Sequence, residues 1–237
     1  MKIKNLYIVG TSHIAVESLR DVEHAIEKYL PKIVAVELDQ GRARALLSGK
    51  KSKLRIQDIR IIGVKGFLFA WLGALAERKL GESVGMKPGD EMIHAMRLAR
   101  KNKAMVMLID QDISVTLKRF SQFLSWKEKF RIAADILKGL ITRKPVIEFD
   151  LRTVPDKKVV KSLTSQVKKR YPNVYRVLIG ERNQVLAQRL IALMLTYPDD
   201  MIVAVMGAGH EDEVIDLIKK GLAQAKHIKT QNHVKTS

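Results

Sequence analysis

Four short apolar runs constrain this chain most: IKNLYIV at 3–9, IVAVEL at 33–38, AMVMLI at 104–109 and MIVAVM at 201–206. Each is too short for a buried helix and is bounded by polar or turn residues, so each reads as a strand. Their apolar residues are consecutive rather than alternating, as in strands covered on both faces. Helical periodicity fills the gaps. The clearest case is 16–29, where Val16, Leu19, Val22, Ala25, Ile26 and Tyr29 share one stripe and Pro31 ends it. Strands alternating with helices predict an α/β fold with a central, mainly parallel sheet flanked by helices. The first two strands and the helix between them make a βαβ unit, which predicts a parallel pair joined by a right-handed crossover.

The remaining pattern predicts helices at 40–48, 64–80 and 91–102, the last capped by Asp90 and buried along Met92, Met96 and Ala99. Helices are also predicted within 113–142 and at 156–170, 173–196 and 211–222, with 144–156 as a connection and a frayed polar tail. These fit one domain over 1–237, with 55–100 and 113–175 as helical insertions. The most apolar stretch, IIGVKGFLFAWLGALA at 61–76, contains a lysine and falls short of the ~20 residues that cross a bilayer. It predicts a buried or surface-docking helix, and 61–80 is the segment on which a homodimer would form if it is not core. The first residues read straight into a predicted strand, so no signal peptide is expected from them, and the sequence has no cysteine. Disulfides, thiolate nucleophiles and cysteine zinc sites are excluded, and a reducing, cytoplasmic setting fits.

The formal charge is +18, unevenly spread: residues 113–180 hold 16 Lys and Arg against five Asp and Glu. Such a segment attracts phosphates, acidic peptides or an anionic surface, unless it is simply a solvated cationic face. Nucleic acid is the weaker partner class, because only 5% of residues are aromatic and no DNA-reading motif occurs.

What ends each strand points to chemistry. The first runs into His13, the second ends at Glu37, the third at Asp110 with Asp112 beyond, and the fourth runs into His210. If the strands are parallel, these groups converge on the carboxyl edge of the sheet, where ligands bind in open α/β folds. Gly10-x-x-His13 and Gly207-x-x-His210 repeat one device. The glycine turns the chain off a strand, and the histidine sits at a helix start whose dipole disfavours imidazolium. A neutral ring accepts a proton or binds a metal. Gly207 and Gly209 would also let a ligand approach the backbone. A plain glycine turn with a histidine cap is the competing account. In VYRVLIGERNQVLAQRLIALML, Arg182 falls on the stripe of Ile179, Leu186, Leu190 and Leu193, with Glu181 beside it. Inward charges are costly unless paired or used, so this pair is either an internal ion pair or the polar edge of the crevice.

The stretches VGTSHIAVES, IVAVELDQGRARAL, LGESVGMKPGDEMIHAMRLAR, LIDQDISVTLKR, IGERNQVLAQ and VAVMGAGH resemble, in order, the TraB/PrgY family, grouped with the Tiki and GumN proteins. The resemblance spans about residues 7–210. It implies a fold shared with heme-binding ChaN-like proteins and erythromycin esterase. It also implies relatives that are metal-dependent proteases (Tiki) or that shut down a peptide pheromone (PrgY). By position His13 and His210 match the motif histidines, Glu37 the acidic strand end, and Glu181 and Arg182 the Glu-Arg motif. Many microbial members carry membrane-spanning segments after the soluble domain. This chain stops soon after the second Gly-x-x-His, as a short soluble member or as an excised domain with a membrane association elsewhere.

Three functions follow as expectations. The first is a metal-dependent hydrolase or peptidase acting on a peptide or small molecule. Here His13 and His210 bind Mn, Co or Zn, Glu37 or Glu181 is third ligand or general base, Arg182 clamps developing charge, and Gly10, Gly207, Gly209, Asp110 and Asp112 line the substrate. The second is a metal-free hydrolase with one histidine as general base. The third is a non-catalytic binder that sequesters a peptide or other anionic partner through 113–180. No HExxH occurs, so the usual zinc-protease helix is not the scaffold.

Overall fold

The computed structural model describes residues 1–11, 16–48, 89–142 and 157–234. The predicted helix at 64–80, the connection at 144–156 and His13 lie outside them. The described chain runs β1 (Lys2–Ile3), β2 (Leu6–Thr11), α1 (Val16–Tyr29), β3 (Ile33–Val36) and α2 (Gln40–Leu47). It continues through α3 (Asp90–Lys101), β4 (Met105–Leu108), α4 (Ile113–Phe123), α5 (Trp126–Thr142), α6 (Lys157–Arg170) and α7 (Pro172–Tyr175). A π-helical turn (Arg176–Gly180) leads into α8 (Glu181–Thr196), β5 (Ile202–Gly207) and α9 (Ala208–Val234).

These strands form one sheet in the order β1-β2-β5-β3-β4, parallel except for the short edge strand β1. The fold is therefore the α/β architecture expected from the apolar runs. Side chains alternate between two cores, as period-2 geometry requires. Leu6, Ile8, Ile33, Ala35, Ile202, Ala204 and Met206 face Leu186 and Leu190 of α8 and Val214 and Ile218 of α9. Val9, Val34, Val36, Val203 and Val205 face Val22 and Ile26 of α1 and Met92 and Met96 of α3. Both faces are covered, which is why the strands read as unbroken apolar runs.

The sheet departs from the sequence expectation in one respect. β2 and β3 are parallel but not paired; β5 lies between them, Leu6 and Ile33 both opposite Ile202. All six residues of β5 are buried, so the central position is where that run loses most water contact. The consequence is functional. α1 leaves β2 for one face of the sheet, while α9 leaves the neighbouring strand β5 for the other. Adjacent strands whose helices diverge open a crevice at their carboxyl ends.

Two helix boundaries also differ. Gly89, not Asp90, caps α3: its φ of 96° is a left-handed conformation that glycine reaches freely, and the Glu91 carboxylate accepts its N–H at 3.1 Å. The last helix does not end at residue 222 with a frayed tail but continues as α9 to Val234. The predicted helix at 173–196 is interrupted by the π turn, which shifts the phase of everything after it. Among the described residues no helix is long and apolar enough to cross a membrane.

Candidate functional site

Residue pairing between β2 and β5 sets Gly10 opposite Met206 and Thr11 opposite Gly207. The two motif glycines thus sit one residue out of register on neighbouring strands. Thr11 ties the pair by donating its hydroxyl to the Met206 carbonyl at 3.3 Å. Glu37 extends β3 by one residue, its N–H donating to the Val205 carbonyl at 3.0 Å. Its side chain therefore turns in beside the end of β5, where the Gly207 N–H donates to Oε2 at 2.7 Å.

Arg182 binds two strand ends together. Its Nη2 donates to Glu37 Oε1 at 2.5 Å and to Asp110 Oδ2 at 2.7 Å, and its Nε to Asp110 Oδ1 at 2.9 Å. Both carboxylates are almost fully buried, at 4% and 2% exposure. Burial alone would push the guanidinium toward neutrality, but Glu37 and Asp110 outweigh it and hold the pKa above its usual range. Arg42 adds a second cation to Asp110 Oδ2 at 3.3 Å, and Arg189 donates to the Asp110 carbonyl at 2.6 Å. The fork of one arginine thus holds acids from two strands in one geometry.

His210 lies in the first turn of α9, buried, with its ring held from both sides. Nδ1 is 2.5 Å from Asn183 Oδ1, and Nε2 is 3.2 Å from Glu37 Oε1. The tautomer follows from the next partner outward. Glu213 accepts from Asn183 Nδ2 at 2.9 Å and from the Tyr175 hydroxyl. An ionised carboxylate only accepts, so the Asn183 amide must turn its NH2 to Glu213 and its oxygen to the histidine. With Asn183 Oδ1 facing it, Nδ1 carries a proton; Nε2 donates to Glu37 Oε1 when the ring is protonated and offers a lone pair only when the ring is neutral. Tyr175 stays a donor throughout: burial, then the adjacent Glu213, pushes its ionisation far above the usual range.

The structure thus brings together Glu37, Asp110, Arg182, Gly207 and His210. Others go elsewhere. Glu181 makes a two-pronged ion pair with Arg119 of α4 and lies 3.9 Å from Arg176. Asp112 caps α4, accepting from the Ser114 N–H at 2.8 Å. Around two of the glycines the close neighbour is a protein side chain. A Cβ on Gly10 would come within 2.4 Å of the Glu211 carboxylate, and one on Gly209 within 3.0 Å of the Thr164 hydroxyl on α6. Asn183, Glu213, Arg42 and Arg189 are additions that the sequence reading does not contain. Asn183 has a signal: it precedes Leu186 and Leu190 by three and seven residues, placing an amide on the buried stripe of α8.

A divalent ion can be tested against these donors. Two ligands of one ion with bonds of about 2.1 Å lie roughly 3.0–3.4 Å apart, and the 3.2 Å between His210 Nε2 and Glu37 Oε1 matches that edge. Imidazole and carboxylate suit Zn, Mn or Co. Among the described residues no group of three His, Asp or Glu is placed to complete such a site.

The sequence pattern of the TraB/PrgY/gumN family matches residues 2–221. An uncharacterized protein of Methanocaldococcus jannaschii is 33% identical over 219 residues, covering 91% of this chain and 54% of that protein. The TraB domain-containing proteins of human and mouse are 28% and 27% identical, each covering 86% of this chain and 60% of theirs. The chain therefore spans between half and two thirds of the length of these relatives. With the strand-end acids, the buried arginine and the second Gly-x-x-His converging on one edge, and with that match over nearly its whole length, the chain belongs to the TraB/PrgY/gumN family.

Proposed function

We propose that this chain is the hydrolytic domain of a TraB-family protein, a metal-dependent hydrolase acting on a peptide-like substrate in the crevice between β2 and β5. The observation that carries this reading is the oriented imidazole: Nδ1 lies 2.5 Å from Asn183 Oδ1, and Nε2 stands 3.2 Å from a buried carboxylate oxygen. His210 and Glu37 would hold the ion together with His13, which the paired motif supplies. When bound, the ion would lower the pKa of a water molecule to near neutrality. The chain's own groups do the rest. Glu213 and Asn183 keep the ring in one tautomer, as outer partners of metal-bound histidines do. Arg182 holds Glu37 and Asp110 apart from solvent and presents a fixed positive charge to a developing oxyanion. Substrate would reach the edge past Arg42, which is 40% exposed.

Elemental analysis of the purified chain tests the proposal. Wild type should carry near-stoichiometric metal, and His210→Ala and His13→Ala should each lose most of it. Equal, negligible metal in all three would rule the proposal out. A second reading, a metal-free hydrolase with His210 as general base, is favoured by one observation: Arg182 Nη2 already supplies a cation to Glu37 Oε1 at 2.5 Å. Hydrolysis that survives exhaustive chelation but not His210→Ala would select it.

A further inference from the structure

The outer side of α4 and α5 carries what the crevice does not use. Trp126 and Phe130 are 69% and 71% exposed, one helical turn apart, with ring centres 6.3 Å from each other. Phe123, at the end of α4, is 40% exposed. Large aromatic rings in water are costly unless something covers them part of the time. Cations surround them. Lys129 Nζ lies 3.9 Å from the Trp126 ring centre, and Arg119 and Arg176 lie 4.9 and 4.7 Å from that of Phe123. Lys127 is exposed on the next stripe of α5; Arg131, also exposed, donates to the Arg170 carbonyl at 2.7 Å.

The acids of this segment face the other way. Residues 118–138 contain six Lys or Arg and only two acids, Glu128 and Asp135. Glu128 is buried against Ser125 and Asn173, and Asp135 is taken by Arg170 and Tyr171. The outward surface is therefore aromatic and cationic with its negative charge turned inward. We propose that α4 and α5 dock on an anionic lipid bilayer, with Trp126 and Phe130 entering the headgroup region and Lys127 and Lys129 meeting lipid phosphates. Amphipathic interfacial helices combine these residue types for that reason. A second copy of the chain fits poorly, because it would bring the same positive face. Nucleic acid fits less well, because only 5% of the chain's residues are aromatic, which leaves few platforms for successive bases.

Flotation of the full 237-residue chain tests this. Vesicles of phosphatidylcholine alone are compared with vesicles of phosphatidylcholine and phosphatidylglycerol. The chain should float with the anionic vesicles and stay behind with the neutral ones. Trp126→Ser combined with Phe130→Ser should lower anionic partition by about tenfold or more, and Lys127→Glu by about fivefold. All three side chains are exposed, so melting temperatures should stay within about 2 °C of wild type. The proposal is overturned if wild type does not float with anionic vesicles, or floats equally with neutral ones. It is also overturned if the Trp126/Phe130 variant floats as wild type does. Retention on single-stranded RNA without vesicle binding would give the surface to nucleic acid instead. Should the double variant melt early, the Lys127→Glu result decides alone.

Discussion

Two carboxylates in this molecule, Glu37 and Glu128, are equally buried and do opposite things. Glu128 sits three residues after Ser125 at the start of α5. Its Oε2 accepts from the Ser125 N–H and hydroxyl, while the Ser125 hydroxyl accepts the Glu128 N–H at 3.2 Å. This is a reciprocal helix cap. The same carboxylate then accepts the Asn173 N–H at 2.7 Å and its side-chain amide at 2.8 Å, fastening α5 to α7. These donors are neutral, and they belong to two residues that begin helices. Glu37 instead faces a guanidinium, a backbone N–H and an imidazole whose far side is held by further residues. Burial does not separate a structural carboxylate from a site; the kind of donor does.

The sharpest way to break that contrast is to remove the charge that only Glu37 has. Arg182→Ala leaves Glu37 and Asp110 buried, with Gly207, Gln111 and the more distant Arg42 among the groups that still meet them. Removing one partner from a buried ion network costs roughly 3–5 kcal/mol, because the remaining charges stay desolvated. Urea unfolding should show a lower midpoint with an unchanged slope, the product of shift and slope being that loss. A loss under about 1 kcal/mol would mean the carboxylates are already neutralised by something else, and the arginine's clamping role would fall.

Removing Glu128 should cost less and leave the crevice alone. Glu128→Ala loses a helix cap and a bridge to α7, an effect of about 1–3 kcal/mol. Metal content and activity should match wild type. Its pH dependence has a definite sign. Burial pushes the Glu128 pKa up, but the hydrogen bonds from Asn173 and Ser125 outweigh this and set it below the usual carboxylate range. A group with a depressed native pKa contributes stability above its unfolded value and loses it as pH falls through the native one. The gap between wild type and Glu128→Gln should therefore be full at neutral pH and close below about pH 4. A gap that does not change with pH would show that the bonds do not require the ionised form.

The sequence shows the fold more readily than the strand order, and for a physical reason. A strand buried on both faces declares itself by consecutive apolar residues, whatever it pairs with. Which run is central depends on where distant helices pack, so β5 between β2 and β3 left no local trace. Glu37, Asp110, Arg182 and His210 were legible because polar groups that end buried strands or interrupt an apolar stripe need a reason to be there. Asn183, despite its spacing to Leu186 and Leu190, was passed over because an uninterrupted helical phase through 173–196 gave the inward position to Arg182; Glu213 was not legible because its role depends on how α9 meets Asn183. The π turn at Arg176–Gly180 breaks that phase, so Asn183 takes the fully buried position and Arg182 lies beside it. Glu181, carried by the same turn, faces Arg119 rather than Glu37.

The finest contrast lies behind the imidazole, and Glu213→Gln probes it with the least damage to the fold. The new side-chain amide would present an NH2 as well as an oxygen to Asn183, so the Asn183 amide would no longer be forced into one orientation. If it flips, its NH2 faces His210 Nδ1, which must then accept, and the ring proton moves to Nε2. The lone pair that the proposed chemistry uses is lost while every atom stays within a fraction of an ångström. Stability should change by about 1 kcal/mol or less, and metal affinity should fall about 10–100-fold, as when the outer partner of a ligand histidine is removed. Nitrogen-15 shifts of the ring report the tautomer directly, the His210 signals being those missing from His210→Gln. An unchanged pattern in Glu213→Gln would show that Asn183 is oriented by its own packing, and that Glu213 is a structural carboxylate of the Glu128 kind.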